Sequence, residues 1–321
     1  MATYYQTGTA TDTQALMILI RTFLTAVLGW THQQLNSAEK YNNLAGDQNL
    51  WYTDYYTVNG GYYALSTGIE GTTVDYRTYI KTMVLEGHND TGSDPYYAYD
   101  DQPGYYRTAY TNDVAGPYTA YHFFGGQEGV DGNYFYCVLE TEAGKFAHFG
   151  IGEVDRIGTL SARFAVCTYW DNSVSYWRSP GSAKHNRMFD GNGSTQAGYM
   201  GHINYHQTNP PPTVDQHRLG YPSEAWASGF GGWNTSLFED SPNAYNGRTP
   251  LFPVHVYVDD KGSPTSWWRI VGMAPAHRFL NISNIAPGDI VNTDWKCFPV
   301  KAKNAATGAT SGVYGWAYKF Q

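Results

Sequence analysis

Six residues, YFYCVL from Tyr134 to Leu139, restrict the fold of this chain more than any other stretch. Their aromatic and β-branched content reads as a strand, yet Tyr134, Tyr136 and Val138 alternate with Phe135, Cys137 and Leu139, so neither face is polar. A strand of this kind needs cover on both faces.

The surrounding sequence supplies partners. From Tyr118 to Gly158 the pattern predicts two or three strands, joined at Asp131-Gly132-Asn133 and at Glu142-Ala143-Gly144. Upstream, Asn59-Gly60-Gly61 stands between the aromatic flanks of YYTVNGGYYALST, the strongest short hairpin signal in the chain, and VDYRTYIKTMVLEG follows as a further strand. Downstream, PLFPVHVYVDD turns at Lys261-Gly262 and returns through TSWWRIVGMAP. Pro287-Gly288-Asp289 is expected to turn the chain before a strand in which Trp295, Cys297 and Pro299 share one face and Lys296 and Phe298 the other. The segment ending at Phe320 is expected to insert into a sheet as a strand.

One segment breaks the β pattern. ALMILIRTFLTAVL, Ala15 to Leu28, repeats Leu16, Leu19, Ile20, Phe23 and Val27 at helical spacing. Thr11 with Gln14 fits a capping box, Asp12 is an alternative N-cap, and Gly29 stands at the C′ position. That face is expected in the core; Met17, Ile18 and Leu24 leave the opposite side apolar enough to dock on a neighbouring subunit. Arg21 and the short length argue against a membrane span or signal peptide.

The fold class expected is therefore mainly β: a β-sandwich-like domain with an N-terminal amphipathic helix and a long loop-rich excursion. The expected organisation is an N-terminal segment at 1–50 with the helix at about 12–28, a first β half at 51–170, a loop-rich excursion at 171–250, and C-terminal strands at 251–321. The excursion, dense in Gly, Pro, Asn and Ser, is where partner contacts are expected.

Composition narrows the function. Charged residues are 15% of the chain against about a quarter in ordinary soluble proteins, while Tyr reaches 29 and Trp 10. Such a surface suits protein contact or sugar stacking, although aromatics also simply favour strands. A net charge of -8 and only 20 scattered basic residues argue against a nucleic-acid partner. Cys137, Cys167 and Cys297 form no CxxC pair and no disulfide framework, which points to free thiols.

No catalytic, cofactor or metal site is expected. His202 and His206 stand at i, i+4 with His185 and His217 near in sequence, but Gly201 and the Pro run oppose a helix and no HExxH glutamate is present. DGNGS at 190–194 lacks the alternating acids of a calcium loop. Glu140 or Glu142 with Glu153 or Asp155 could in principle form a glycosidase pair, and solvated strand charges are the plainer reading. No G-x-S-x-G, G-x-G-x-x-G or Walker A motif occurs. Trp226, Trp233, Trp267 and Trp268 are candidates for a sugar platform, with adjacent Trp267 and Trp268 on opposite faces of one strand.

Three segments carry a resemblance. RFLNISNIAPGDIVNTDWKCFPVKAKN followed by SGVYGWAYKF, the N-terminal YYQTGTATDTQALMILIRTFLTAVLGWT, and the mid-chain AHFGIGEVDRIGTLSARFAVCTYW together resemble a group of tailed-bacteriophage virion proteins. They lie in the same order and cover about a quarter of the chain, which departs from the group mainly between Ser179 and Thr249. The resemblance implies a non-enzymatic structural protein of the virion, of the tail or baseplate in preference to the head shell, assembled in the host cytoplasm. Its implied partners are other virion proteins and copies of itself, with no cofactor, no nucleic acid and no membrane insertion. A host receptor or glycan-binding tail protein is the first alternative, a head or head-tail collar decoration protein the second, and a cell-envelope hydrolase the third.

Overall fold

The structure, a computed structural model, describes residues 2–33, 41–43, 50–70, 77–85, 108–111, 116–128, 132–157, 162–170, 197–205, 217–220, 248–260, 267–282, 284–299 and 314–321. They are mostly strand, with one short helix. In chain order the elements begin with β1 (Thr3–Ala10), α1 (Thr13–Thr22), β2 (Thr31–Gln33), β3 (Tyr41–Asn43), β4 (Leu50–Val58), β5 (Gly61–Glu70), β6 (Arg77–Leu85) and β7 (Thr108–Thr111). The middle of the chain gives β8 (Tyr118–Glu128), β9 (Gly132–Glu142), β10 (Lys145–Glu153), β11 (Asp155–Arg156), β12 (Ala162–Trp170), β13 (Ala197–Tyr205) and β14 (His217–Gly220). The last are β15 (Phe252–Asp260), β16 (Trp267–Asn281), β17 (Ile290–Val291), β18 (Trp295–Pro299) and β19 (Tyr314–Lys319).

All pairings are antiparallel, in three sheets. The first runs β1-β8-β9-β10-β12-β13; the second runs β2-β4-β5-β6-β7, with β3 also on β4. The third runs β14-β15-β16-β19-β18-β17, with β11 on β16, so β19 is an interior strand.

Turn chemistry explains the tight connections. Asn59 (φ 47°) and Gly60 (φ 72°) both take the left-handed conformation between paired Val58 and Gly61, the two-residue type I′ hairpin. Pro287 and Gly288 (φ 85°) form a type II turn closed by the Asp289 N–H donating to the Ala286 carbonyl at 3.0 Å. The expected turn at Asp131-Gly132-Asn133 is displaced: Gly132 and Asn133 already belong to β9, opposite Glu128 and Gln127. The ladder extends past them because cross-strand bonding outweighs their turn preference.

Residues 171–250, expected to be loop-rich, contribute β13 and β14, and residues 1–50 contribute β1, β2 and β3 as well as the helix. β13 gains its order from nine paired positions on β12, a tertiary contribution absent from its local sequence. The Lys261-Gly262 turn lies outside the described residues.

β9 has the two covered faces that its composition demands. Phe135, Cys137 and Leu139 join α1, Tyr56, Tyr63, Leu65 and Ile80 in one buried cluster. Tyr134, Tyr136 and Val138 join Val254, Ala274, Phe279, Phe298, Trp316 and Tyr318 of the third sheet in another. A third, smaller cluster gathers Leu280, Ile282, Trp295, Cys297 and Ala317. Each large side chain so buried contributes roughly 1.5–3 kcal/mol.

The helix starts at Asp12, not Thr11: the Asp12 carboxylate accepts the Ala15 N–H at 2.7 Å. Thr11 instead donates its hydroxyl to Asp12. After Thr22 the chain widens into a π-turn, Phe23–Val27, with the Leu28 N–H donating to the Phe23 carbonyl. The extra residue rotates Val27 out to 38% exposure and brings Leu28 onto the core, so the expected apolar stripe is corrected at its last position. Met17 and Leu24, expected on a second greasy face, are buried within the chain itself, which leaves Ile18 exposed there. Gly29 (φ 72°) ends the segment.

Candidate functional site

The acids considered for glycoside chemistry stand at opposite ends of the β9–β10 hairpin. Glu140 accepts the Gly144 N–H at 3.1 Å and so caps the Ala143-Gly144 turn. Glu153 accepts from the Asn133 side chain at 2.7 Å. Asn133 and Glu140 are seven strand positions apart, roughly 23 Å. A retaining pair needs about 5 Å and an inverting pair under about 10 Å. Glu142 and Asp155 lie farther out still, so none of the four combinations can act on one glycosidic bond.

His202 sits in β13 opposite Ala165, on a strand and not a helix, and His217 opens β14. His185, His206, the DGNGS segment, Trp226 and Trp233 lie outside the described residues. Trp267 and Trp268 pair with Asp260 and Asp259 at the start of β16. Among the described residues no group of three or more His, Cys, Asp or Glu could hold a metal ion, and no helix is long and apolar enough to cross a membrane.

The most concentrated polar chemistry is elsewhere. Asp54, 3% exposed on β4, accepts Arg21 Nη2 at 2.7 Å and Nε at 3.1 Å in a two-pronged pair. His32 Nε2 donates to the same carboxylate at 3.0 Å, and the Tyr56 hydroxyl donates to it at 3.1 Å. Burial, and then the Asp54 charge, push the Tyr56 hydroxyl well above its ordinary pKa. The network ties α1 to β2 and β4. A structural clue existed in the sequence, since Arg21 interrupts an apolar helix and therefore needs an acid beneath it; which acid, 33 residues on, has no local signal.

A second group lies between the first and third sheets. His148, fully buried on β10, donates Nε2–H to the Pro299 carbonyl and accepts the Tyr318 hydroxyl at Nδ1, both at 2.9 Å. That pairing requires a neutral ring, and burial lowers its pKa to about 4. His277 stacks on Trp316 with centroids 4.0 Å apart and on Tyr318 at 4.9 Å, and burial holds its pKa well below the ordinary value. His122 accepts the Tyr5 hydroxyl at 2.8 Å; burial, and then Lys296, bring its pKa to about 4. Tyr136 donates to the Pro275 carbonyl at 2.9 Å.

These groups are poor reagents. Neutral and fully buried, His148 and His277 cannot exchange protons with a substrate, and burial also raises the thiol pKa of Cys137 and moves that of Cys297 up to about 12, so neither offers a thiolate. Asp54, His148 and Tyr136 instead each join two elements. No protein-family model matches the chain, and comparison with curated proteins yields no significant match.

Proposed function

We infer that this chain is a non-enzymatic building block of a tailed-bacteriophage particle, a tail or baseplate component that binds other virion subunits and copies of itself. One observation carries the reading: the three segments with virion-protein resemblance, far apart in sequence, are in mutual contact. Tyr5 of the N-terminal segment meets Phe320 edge-on at 5.9 Å, and Lys296 lies over both rings at 5.3 and 5.6 Å. His148 of the mid-chain segment bonds Tyr318 and Pro299 of the C-terminal one. Segments that resemble a family because they build its shared core should converge in this way, whereas unrelated local likenesses would scatter.

The same contacts support a β-sandwich arrangement of the first and third sheets, since one aromatic cluster draws side chains from both. Consumption of Asp54 and His148 in structural hydrogen bonds favours a scaffold over an enzyme. The test is cryo-electron microscopy of purified particles, with mass spectrometry of their proteins. The chain is expected in fixed stoichiometry at the tail or baseplate; infectious particles lacking it would overturn the reading.

A further inference from the structure

Tyr63 on β5 has a hydroxyl sealed inside the protein with no hydrogen-bond partner among the described residues. Its ring belongs to the core, opposite Tyr56 in the β4–β5 ladder and 5.3 Å from the ring of Trp30. Buried hydroxyls in native proteins are nearly always bonded, to protein or to ordered water, because a bare one forfeits the bonds it makes to solvent in the unfolded chain.

The space in front of that hydroxyl is polar. Gly61 and Tyr63 lie on one face of β5, and a Cβ placed on Gly61 would stand 2.9 Å from the Tyr63 hydroxyl oxygen and 3.1 Å from Arg163 Nε. Both polar heads therefore converge on a single point. Turn geometry does not demand glycine at this position, since the left-handed residues of the hairpin are Asn59 and Gly60. Having no side chain, Gly61 instead opens a notch between the second sheet and β12 of the first. Arg163 spans that junction and also donates Nη2–H to the Gly60 carbonyl at 3.4 Å. Glu153 stands opposite Arg163 in the β10–β12 ladder.

We propose that the notch at Gly61 binds one structural water, held between the Tyr63 hydroxyl and the Arg163 Nε–H. Size and charge select this ligand. With Tyr63 Cε2 also 3.0 Å from the same point, the notch has room for little more than one heavy atom. The guanidinium opposes a cation. Glu153 opposes an anion: its charge reaches the hydroxyl and joins burial in raising the Tyr63 pKa, against the lowering effect of Arg163. What remains is a small neutral molecule that both donates and accepts. The guanidinium can only donate, so its N–H points at the water oxygen, and the hydroxyl, donor and acceptor alike, takes either remaining role. Two polar partners meet what a buried water requires. The bridge joins β5 to β12 and, with the Arg163–Gly60 bond, pins the Asn59-Gly60 hairpin onto the first sheet. The site lies within one chain and does not depend on assembly.

Two measurements test it: a crystal structure of the full chain at a resolution that shows ordered solvent, and urea unfolding of the native and Tyr63→Phe chains. A solvent peak about 2.7–3.2 Å from both Tyr63 Oη and Arg163 Nε is expected in the native crystal, and its loss in the Tyr63→Phe crystal. With the water bound, the hydroxyl contributes a hydrogen bond, so Tyr63→Phe is expected to raise the unfolding equilibrium constant about five-fold. A dry hydroxyl gives the opposite sign, because phenylalanine then removes an unsatisfied group. A Tyr63→Phe chain as stable as the native one or more so, or a native crystal with no peak at that point, would each overturn the site. So would a peak that acquires the anomalous signal of bromide after a bromide soak, which marks an anion in place of water. Should the Tyr63→Phe chain not fold, the native crystal alone decides.

Discussion

Replacing Asp54 by alanine should be among the most damaging single changes on the second sheet. Its two oxygens accept four bonds, two from Arg21 at 2.7 and 3.1 Å, one from His32 at 3.0 Å and one from Tyr56 at 3.1 Å. Bonds involving charged groups contribute roughly 1.5–3 kcal/mol each, so the Arg21 pair alone suggests about 3–6 kcal/mol. Arg21 is 24% exposed, and water recovers part of that when the acid is gone. The expected loss is therefore about 3–4 kcal/mol, within the range for removing one partner of a buried pair. Urea unfolding followed by tryptophan fluorescence reads it, with Trp30 buried against Tyr63 as a local reporter at 5.3 Å. Arg21→Met should cost a similar amount because it strands the carboxylate. The double variant should cost about 2 kcal/mol less than the sum, since neither charge then remains unpaired. A loss under about 1 kcal/mol for Asp54→Ala, or strict additivity in the double variant, would refute the idea that this pair locks the helix to the sheet.

Acid should weaken the fold through its buried histidines. His148 is held neutral with a pKa of about 4 against an ordinary 6.5, so the unfolded chain binds the extra proton between those values. Stability from this group is intact above about pH 6.5 and falls by roughly 3 kcal/mol as pH drops to about 4; His148→Gln, which can keep both bonds, should flatten that slope in unfolding midpoints measured from neutral to acid pH. Gly126→Ala should cost about 2 kcal/mol or more by thermal unfolding, because φ there is 156° and an added Cβ would sit 2.3 Å from the Ala2 carbonyl oxygen. Gly60→Ala should cost about 1–2 kcal/mol in the same assay, with φ at 72° and nothing else to clash with.

What the residues disclosed in advance was local. Asn59-Gly60 and Pro287-Gly288 announce their turns because only certain residues tolerate those dihedral angles, and the two-faced apolar alternation of β9 follows from a period of two. What they concealed depended on distant partners. β1 has no local signal because its tyrosines and threonines are half wet on both faces, a pattern that only pairing with β8 turns into a strand. A straight helical period places Val27 in the core, and the π-turn carries it out. Asp54 lies in WYTDYYTV where an acid reads as the solvated position; the arginine that holds it inside is 33 residues earlier. His148 likewise sits among apolar neighbours, and the hydroxyl and carbonyl that accommodate it come from the other end of the chain.

The greasiness of β9 on both sides has a cost in folding. In a strand with one wet face, sliding by a single residue drives oily groups into water and is rejected at once. Sliding β9 would merely swap its two sets of oily groups, so solvent offers little guidance. Shape must discriminate instead: the ring of Tyr136 lies where a Cβ on Gly150 would come within 2.4 Å of it, a niche that a displaced neighbour could not offer. A slipped form of this hairpin would thus be compact and dry, and fitting rings into gaps would be what corrects it, so a slow refolding phase is expected to quicken when one face of β9 is made polar.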